Sequence, residues 1–435
     1  MNTSTLRSVS GAIRYNILFS FLSEFAPIYP AYMILFRDRG YDFFQLSLLF
    51  VVWELSVVVL ELPSGILADR WDKRKVLAAG MLLKALGFCV WLVSPSFGAA
   101  AVGFALWGAQ EAFCSGTRQA LLYEALRDRG METAYDKAAG ISNAAATSAI
   151  ALSLVIGGPL FAGNSGLTLA LSAAAAVGGA LSALSLRTRR AAGPPPLAAA
   201  ASFSGGPERS DEGASKPAGE GGSGTGLAVT IKSFRRALRD RRLAFLLAAA
   251  CLSIAAYGTL DEFDGLWALE RYGVPLAWVG AWGALRFGAE GVGGLAAGFL
   301  LKPGSAGRKG RIGPAVGAAG AAFLVSALVP GRFGIPLYIG GYFLMAAVNV
   351  AFETRLQEAA RDESRAAFLS LSSLLMTLCA LALAPVLGLT GDAGGLPGIF
   401  AVGGGIILAA SLLTGAGGIF NRARRGRAGD ASQAL

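Results

Sequence analysis

Carboxylates set inside apolar stretches are the side chains of this chain best suited to chemistry. Glu24, Glu54, Glu61, Glu111, Glu124, Asp261, Glu262, Asp264, Glu290, Glu353 and Glu358 all lie within long apolar runs. Lys84, Arg118, Arg286 and Arg355 are the cations at similar depth. An ionisable group in an apolar slab is costly, so it normally faces a cavity or an opposite charge. Desolvation raises the proton affinity of a carboxylate towards neutrality. Such a group can take a proton from one side of a membrane and release it to the other. The chain has no His at all, which removes the commonest metal ligand and the usual proton carrier at neutral pH. Proton chemistry therefore falls to the carboxylates.

Spacing narrows the candidates. Glu24 sits near the middle of the first apolar run, and Asp261 and Glu262 occupy the matching place in the first run of the second half. Two readings stand side by side: a proton-exchanging carboxylate, or one held permanently by Arg286 or Arg118. Glu54 and Glu61 are seven apart and share a helix face, as do Glu111 and Arg118. Arg286 and Glu290 stand at i, i+4 and can pair locally. Glu61, Glu124 and Glu358 lie near helix ends, where a structural role is expected. Pro63 removes a backbone hydrogen bond and predicts a bend.

Other chemistries find no support. The cysteines Cys89, Cys114, Cys251 and Cys379 all lie in apolar runs without a Cys-x-x-Cys pair, and read as packing residues. No metal site and no cofactor are implied. Gly304 to Gly310 lacks the Gly-Lys-Ser/Thr ending of a phosphate loop. Without His there is no Ser-His pair, and an enzyme is not expected.

These residues need long helices to hold them. The chain has 435 residues, 54% hydrophobic and 15% charged, against about 25% charged in soluble proteins. A helical span takes about 20 apolar residues. Roughly twelve such windows fit: 12–36, 43–69, 75–95, 98–126, 138–162, 166–187, 242–269, 275–301, 312–330, 334–359, 366–390 and 396–420. About 30 of the 38 Lys and Arg fall on one side of this layout. That asymmetry places both termini in the cytoplasm. It also accounts for the net charge of +10 without a nucleic-acid partner, since no basic domain carries a phosphate-binding face. No cleaved signal is expected at the N-terminus.

Between 188 and 240 the composition changes. Gly193-Pro194-Pro195-Pro196 opens a stretch rich in Ala, Gly, Ser and Pro, and Lys232, Arg235, Arg236 and Arg239 close it. This reads as a flexible basic cytoplasmic linker. It divides a bundle at 1–187 from a second at 241–421, with a cytoplasmic tail at 422–435. The two parts echo each other: Ser23-Glu24-Phe25 with Asp261-Glu262-Phe263, Glu124 to Asp128 with Glu358 to Asp362, and Gly158-Pro159-Leu160 with Ala384-Pro385-Val386. Parallel duplication of this kind is how many transporter halves are built.

Two motifs remain. Gly65-Ile66-Leu67-Ala68-Asp69-Arg70-Trp71-Asp72-Lys73-Arg74 ends an apolar run in an acid and a knot of cations. It resembles the loop between helices 2 and 3 of the major facilitator superfamily of transporters, Gly-x-Leu-Ala-Asp-Arg-x-Gly-Arg/Lys-Arg/Lys, departing at Asp72 where the family has Gly. A degraded copy stands at Leu301 to Arg311. Gly157-Gly158-Pro159 through Gly163 resembles the family's helix 5 antiporter motif, with Leu154 and Ala162 in place of two glycines.

The resemblance implies an all-α membrane protein of twelve transmembrane helices in two pseudo-symmetric six-helix bundles, working by alternating access. It gives Gly65, Asp69, Arg70, Lys73 and Arg74 a gating role. It gives Gly158, Pro159 and Gly163 a close helix contact that seals the outer side. Substrate or proton binding is expected at Glu24, Glu54, Glu111, Arg118, Asp261, Glu262, Arg286 and Glu290. The expected function is proton-coupled efflux of a small cationic or amphipathic molecule, by a monomer in the bacterial cytoplasmic (inner) membrane. Proton-coupled uptake of a nutrient, and a membrane sensor or membrane-embedded enzyme, are the alternatives.

Overall fold

A computed structural model describes residues 3–128, 130–185, 240–301, 312–359 and 365–433, with side chains described between 11 and 414. The linker short of Asp240, the degraded motif copy beyond Leu301, Arg361 and the side chains of the tail lie outside the described residues. The described residues are helical, with no strand among them.

The first apolar run is not one helix. α1 (Thr3–Glu24) stops at Glu24, and α2 (Tyr32–Asp38) resumes after a bend at 25–31. Pro27 and Pro30 supply the reason, because neither can donate a backbone hydrogen bond to the preceding turn. α3 (Phe43–Arg70) starts at a capping box between Asp42 and Gln45, and Pro63 lies within it without ending it. α4 (Lys73–Val93) begins on Asp72, whose carboxylate accepts from the Arg74 amide. The acid that departs from the family's Gly is thus the helix cap.

The fourth run also breaks. α5 (Phe97–Cys114) and α6 (Thr117–Arg127) are separated at Gly116, whose φ of 67° only glycine adopts readily. α7 (Tyr135–Gly163) and α8 (Ser165–Ser185) are continuous. The seventh run repeats the pattern of the first. α9 (Arg241–Glu262) ends at the acid pair, and a short turn, Asp264–Leu266, leads into a π-turn at Trp267–Arg271. α10 (Val279–Leu300), α11 (Ile312–Leu328) and α12 (Ile335–Ala359) follow. α13 (Arg365–Gln433) folds back at Gly395, φ 68° and ψ −170°, so its two arms carry the windows 366–390 and 396–420.

Seven stretches among the described residues are long and apolar enough to cross a membrane by length and composition, and one of them, Phe368–Thr414, holds both arms of α13. That is fewer than the twelve windows read from sequence. The first and fourth windows are interrupted, α11 is apolar but only 17 residues long, α10 is not among the seven, and the last two windows count as one.

α1 packs on α7 and α8, α4 on α5 and α8, and α3 on α5. α9 and α11 pack on α13, and α12 on α10 and α11. These two groups of helices meet chiefly where α3 lies against α13 and α7 against α10. Both contacts sit at the end away from the cations of 70–75. At α3 the carboxylate of Asp392 receives the Phe43 and Phe44 amides, and Gly388 and Gly391 leave no room for a Cβ against Phe43. At α7, Gly158 lies under the Ala277 carbonyl, and Gly280 of α10 lies under the Leu154 carbonyl.

Candidate functional site

The broken first span lies in an apolar interior, where each freed backbone group needs a partner. Pro27 has no N–H, so the Ser23 carbonyl four residues earlier has no helical donor. Lys84 on α4 supplies one, with Nζ 2.6 Å from that oxygen. The Ala26 amide donates to Ser153 Oγ of α7 at 2.9 Å, and the Ile28 amide to Ser172 Oγ of α8 at 3.2 Å. Three neighbouring helices thus stitch the break with side chains.

Lys84 is 2% exposed. Its ammonium also donates to Tyr29 Oη at 2.8 Å, and that hydroxyl reaches Glu24 at 3.5 Å. Tyr29 stacks on Trp107, with centroids 5.5 Å apart, and Lys84 Nζ lies 5.3 Å and 5.8 Å from these two rings. Glu24 and Glu111 both act electrostatically on Lys84. Arg118 bonds to Ser20 Oγ at 3.3 Å rather than to a carboxylate. Glu24 therefore makes no ion pair with Arg118 or Arg286 among the described residues. The shared face expected for Glu111 and Arg118 does not exist as one helix, because α5 ends between them.

The second cluster surrounds Arg286, whose side chain is 4% exposed. Its guanidinium pairs with Asp261, with Asp264 at 3.0 Å and with Glu290 at 2.5 Å. Asp264 is further held by Trp282 Nε1 at 2.8 Å and Tyr338 Oη at 2.5 Å. Tyr257 Oη donates to Glu290 at 2.8 Å. One cation faces three carboxylates. Asp261 is held by Arg286. Its neighbour Glu262 is not: the Tyr32 hydroxyl, at the start of α2 in the other group, donates to it. Glu54 is half-buried on α3 and faces Thr377 of α13.

The loop motif is split in its contacts. Gly65, Asp69 and Arg70 are exposed, and no ion pair to Asp69 is present among the described residues. Lys73 bonds Glu124 at 2.8 Å, and Arg74 bonds Asp72 at 2.5 Å. The hydrogen bonds from Arg74 hold the Asp72 carboxyl below its usual range. In the helix 5 motif, a Cβ on Gly158 would meet the Ala277 carbonyl, and Pro159 sits in the last turns of α7. Gly163 differs, because a Cβ there would meet only open space. The glycine missing at Leu154 is replaced across the contact by Gly280.

Sequence reasoning placed Lys84 and Asp264 at depth without giving them a role. It missed Tyr29, Tyr32, Tyr257, Ser153, Ser172 and Asp392. Pro27 and Pro30 were the available signal for the first of these, since a break in a buried run demands polar partners. No group of three or more His, Cys, Asp or Glu that could hold a metal ion occurs among the described residues.

A sequence profile of the Major Facilitator Superfamily matches residues 15–378. The chain belongs to this superfamily. A curated relative in Bacillus subtilis (strain 168), the uncharacterized MFS-type transporter YxaM, is 29% identical over 96 residues, a match spanning 21% of this chain and 23% of the relative. The superfamily fold extends over the whole architecture. The nucleoside transporter NupG superposes with a TM-score of 0.69 at 16% identity, covering 96% of this chain and 99% of its own. A bacterial homolog of the human lysosomal transporter Spinster, inward-facing and occupied, gives 0.66 at 15% identity, covering 97% and 96%. The peptide transporter POT with sulfate gives 0.65 at 16%, covering 93% and 94%.

Proposed function

We propose that this protein is a secondary transporter working by alternating access, which exports a small organic cation in exchange for protons. The observation that carries the reading is Glu262, a carboxylate of one helix group bonded to Tyr32 of the other and free of any ion pair among the described residues. A charge-assisted hydrogen bond is about twice as strong as a neutral one. A proton arriving on Glu262 therefore weakens the tie between the groups, and a proton leaving restores it.

Antiport needs proton and substrate to compete for the same negative charge. Glu24, Glu111 and Glu262 offer it, beside the aromatic faces of Tyr29, Tyr32 and Trp107. Carboxylates beside aromatic faces favour an organic cation. The groups touch at the end away from 70–75, while Asp69 at the basic end has no ion pair among the described residues. In this reading the basic end faces the cytoplasm and the site is open to it. The expected setting is a monomer in a bacterial cytoplasmic membrane, with the lipid bilayer as its partner and no cofactor.

The test is proton-dependent uptake of organic cations into inside-out vesicles by parent, Glu262→Gln and Glu24→Gln. Coupling lost in Glu262→Gln supports the reading, and coupling intact in both variants removes these residues from it. Substrate accumulation into intact cells would reverse the direction to uptake. Gradient-driven flux in proteoliposomes separates transport from a sensor or membrane enzyme.

A further inference from the structure

The break in the seventh span is docked onto the opposite helix group over the residues Glu262 to Gly265. Glu262 accepts from the Tyr32 hydroxyl at the start of α2. Phe263, the next residue, is fully buried, and its ring stands edge-on to Phe43 at 6.0 Å and to Phe50 at 6.2 Å, both on α3. Phe50 is backed in turn by Phe104 of α5 at 6.1 Å. A Cβ on Gly265 would lie 2.9 Å from the Pro30 carbonyl oxygen, in the bend of the first span. The breaks in the first and seventh spans therefore lie against each other, with Glu262 and Phe263 at the boundary between the groups.

Chain direction orders these residues along the protein. α3 starts at Phe43, beside Asp392, and runs to the cations of 70–75. α9 starts at Arg241 and ends against the first turns of α3, so it runs towards the Asp392 seam. Phe263 thus stands one step nearer the seam than Glu262 does. The charged and titratable groups that act on Glu262 are Tyr32 from α2, Glu54 from α3, Arg286 from α10 and the adjacent Asp261. Polar groups of this kind hold water, whereas an apolar constriction excludes it. A carboxylate open to both sides at once would dissipate a proton gradient, so an exchanger needs such a constriction beside it.

We propose that Phe263 is a positioning residue that makes proton exchange at Glu262 one-sided: its ring, seated on Phe43 and Phe50, closes the seam side of the carboxylate while the groups touch there. Gly265 sets the depth of that docking, because a larger residue would press on backbone at Pro30. Separation of the groups at the seam withdraws the ring from α3 and opens Glu262 to that side. The proposal rests on the transport reading only in giving the proton to Glu262.

The test uses purified full-length protein in proteoliposomes that hold a pH gradient, with potassium and valinomycin cancelling the membrane potential and no organic cation present. A pH-sensitive dye inside follows the loss of the gradient. Phe263→Ala is expected to lose it several-fold faster than the parent, and Phe263→Leu, which keeps an apolar plug, to hold it as the parent does. The double variant Phe263→Ala with Glu262→Gln should be tight again, because the leak runs through the carboxylate. A leak that persists in the double variant is a plain hole in the fold and overturns the proposal, as does a tight Phe263→Ala protein. Gly265→Ala gives a test that does not depend on Phe263→Ala folding. Its Cβ presses on the Pro30 carbonyl and lifts the segment from α3, so it should leak too, and only with Glu262 in place. A tight Gly265→Ala protein overturns the docking. A parent that transports no organic cation would sink the transport reading while leaving a Glu262-dependent leak as evidence for the seal.

Discussion

The carboxylate of Asp392 on α13 accepts the backbone N–H of Phe43 in the first turn of α3, at 2.8 Å, across the boundary between the two groups of helices. The neighbouring Phe44 amide donates to its second oxygen at 3.2 Å. The first amides of a helix have no partner within it, and the helix dipole favours an anion there. One acid therefore fastens the end of α3 to the opposite group. Arg37 adds to the same seam, 4.1 Å over the Phe43 ring and 4.0 Å from Glu270. Losing a cap of this kind costs about 0.5–2 kcal/mol. Asp392→Ala is expected to shift the population towards separation at that end by roughly 2- to 30-fold, read as longer spin-label distances between positions 39 and 394. Unchanged distances would show that the remaining contacts hold the seam without Asp392.

The two glycines of the α7 region should behave in opposite ways. A Cβ at Gly280 would strike the Leu154 carbonyl, which is backbone and cannot move aside, whereas one at Gly163 meets nothing. Gly280→Val should force α7 and α10 apart and lower both melting temperature and transport. Overpacking of this kind typically costs about 1–3 kcal/mol. Gly163→Ala should match the parent in a thermal melt. A melt that ranks them the other way would refute the contact as described.

Asp72 caps α4 and pairs with Arg74, so its carboxyl titrates below its ordinary value of about 3.9. A carboxyl with a lowered folded-state pKa stabilises the fold above its unfolded pKa, and that contribution is lost as pH falls through the folded value. Asp72→Asn should therefore melt below the parent at pH 7, and the two melting curves should converge as pH falls below the lowered folded-state value. A gap that persists at low pH would assign the effect to something other than this charge.

How much of this was legible in sequence differs from residue to residue. The all-helical membrane architecture was, because apolar length is a property of residue type along the chain. The motif at Gly65–Arg74 was too, although the meaning of Asp72 came only with the cap. The breaks were not, since a hydropathy window counts polarity and ignores missing donors: it ran 12–36 straight through Pro27 and Pro30. The same habit put Glu111 and Arg118 on one helix face, which Gly116 divides. Lys84 was visible but had no address, because hydropathy does not fix which way α4 turns. Asp392 and Phe43 lie 349 residues apart, and no local pattern joins them.

The contact between Glu262 and Tyr32 is the centre of the functional account, and one measurement addresses it most directly. Purified parent, Glu262→Gln and Tyr32→Phe are reconstituted, and organic-cation flux is driven by a pH gradient of fixed size. The account predicts that Glu262→Gln loses the response to the gradient while still allowing cation to equilibrate. Tyr32→Phe should keep coupling but shift its pH midpoint by about one unit, the value of one hydrogen bond to a charged group. A Glu262→Gln protein whose flux follows the gradient as the parent does would contradict it.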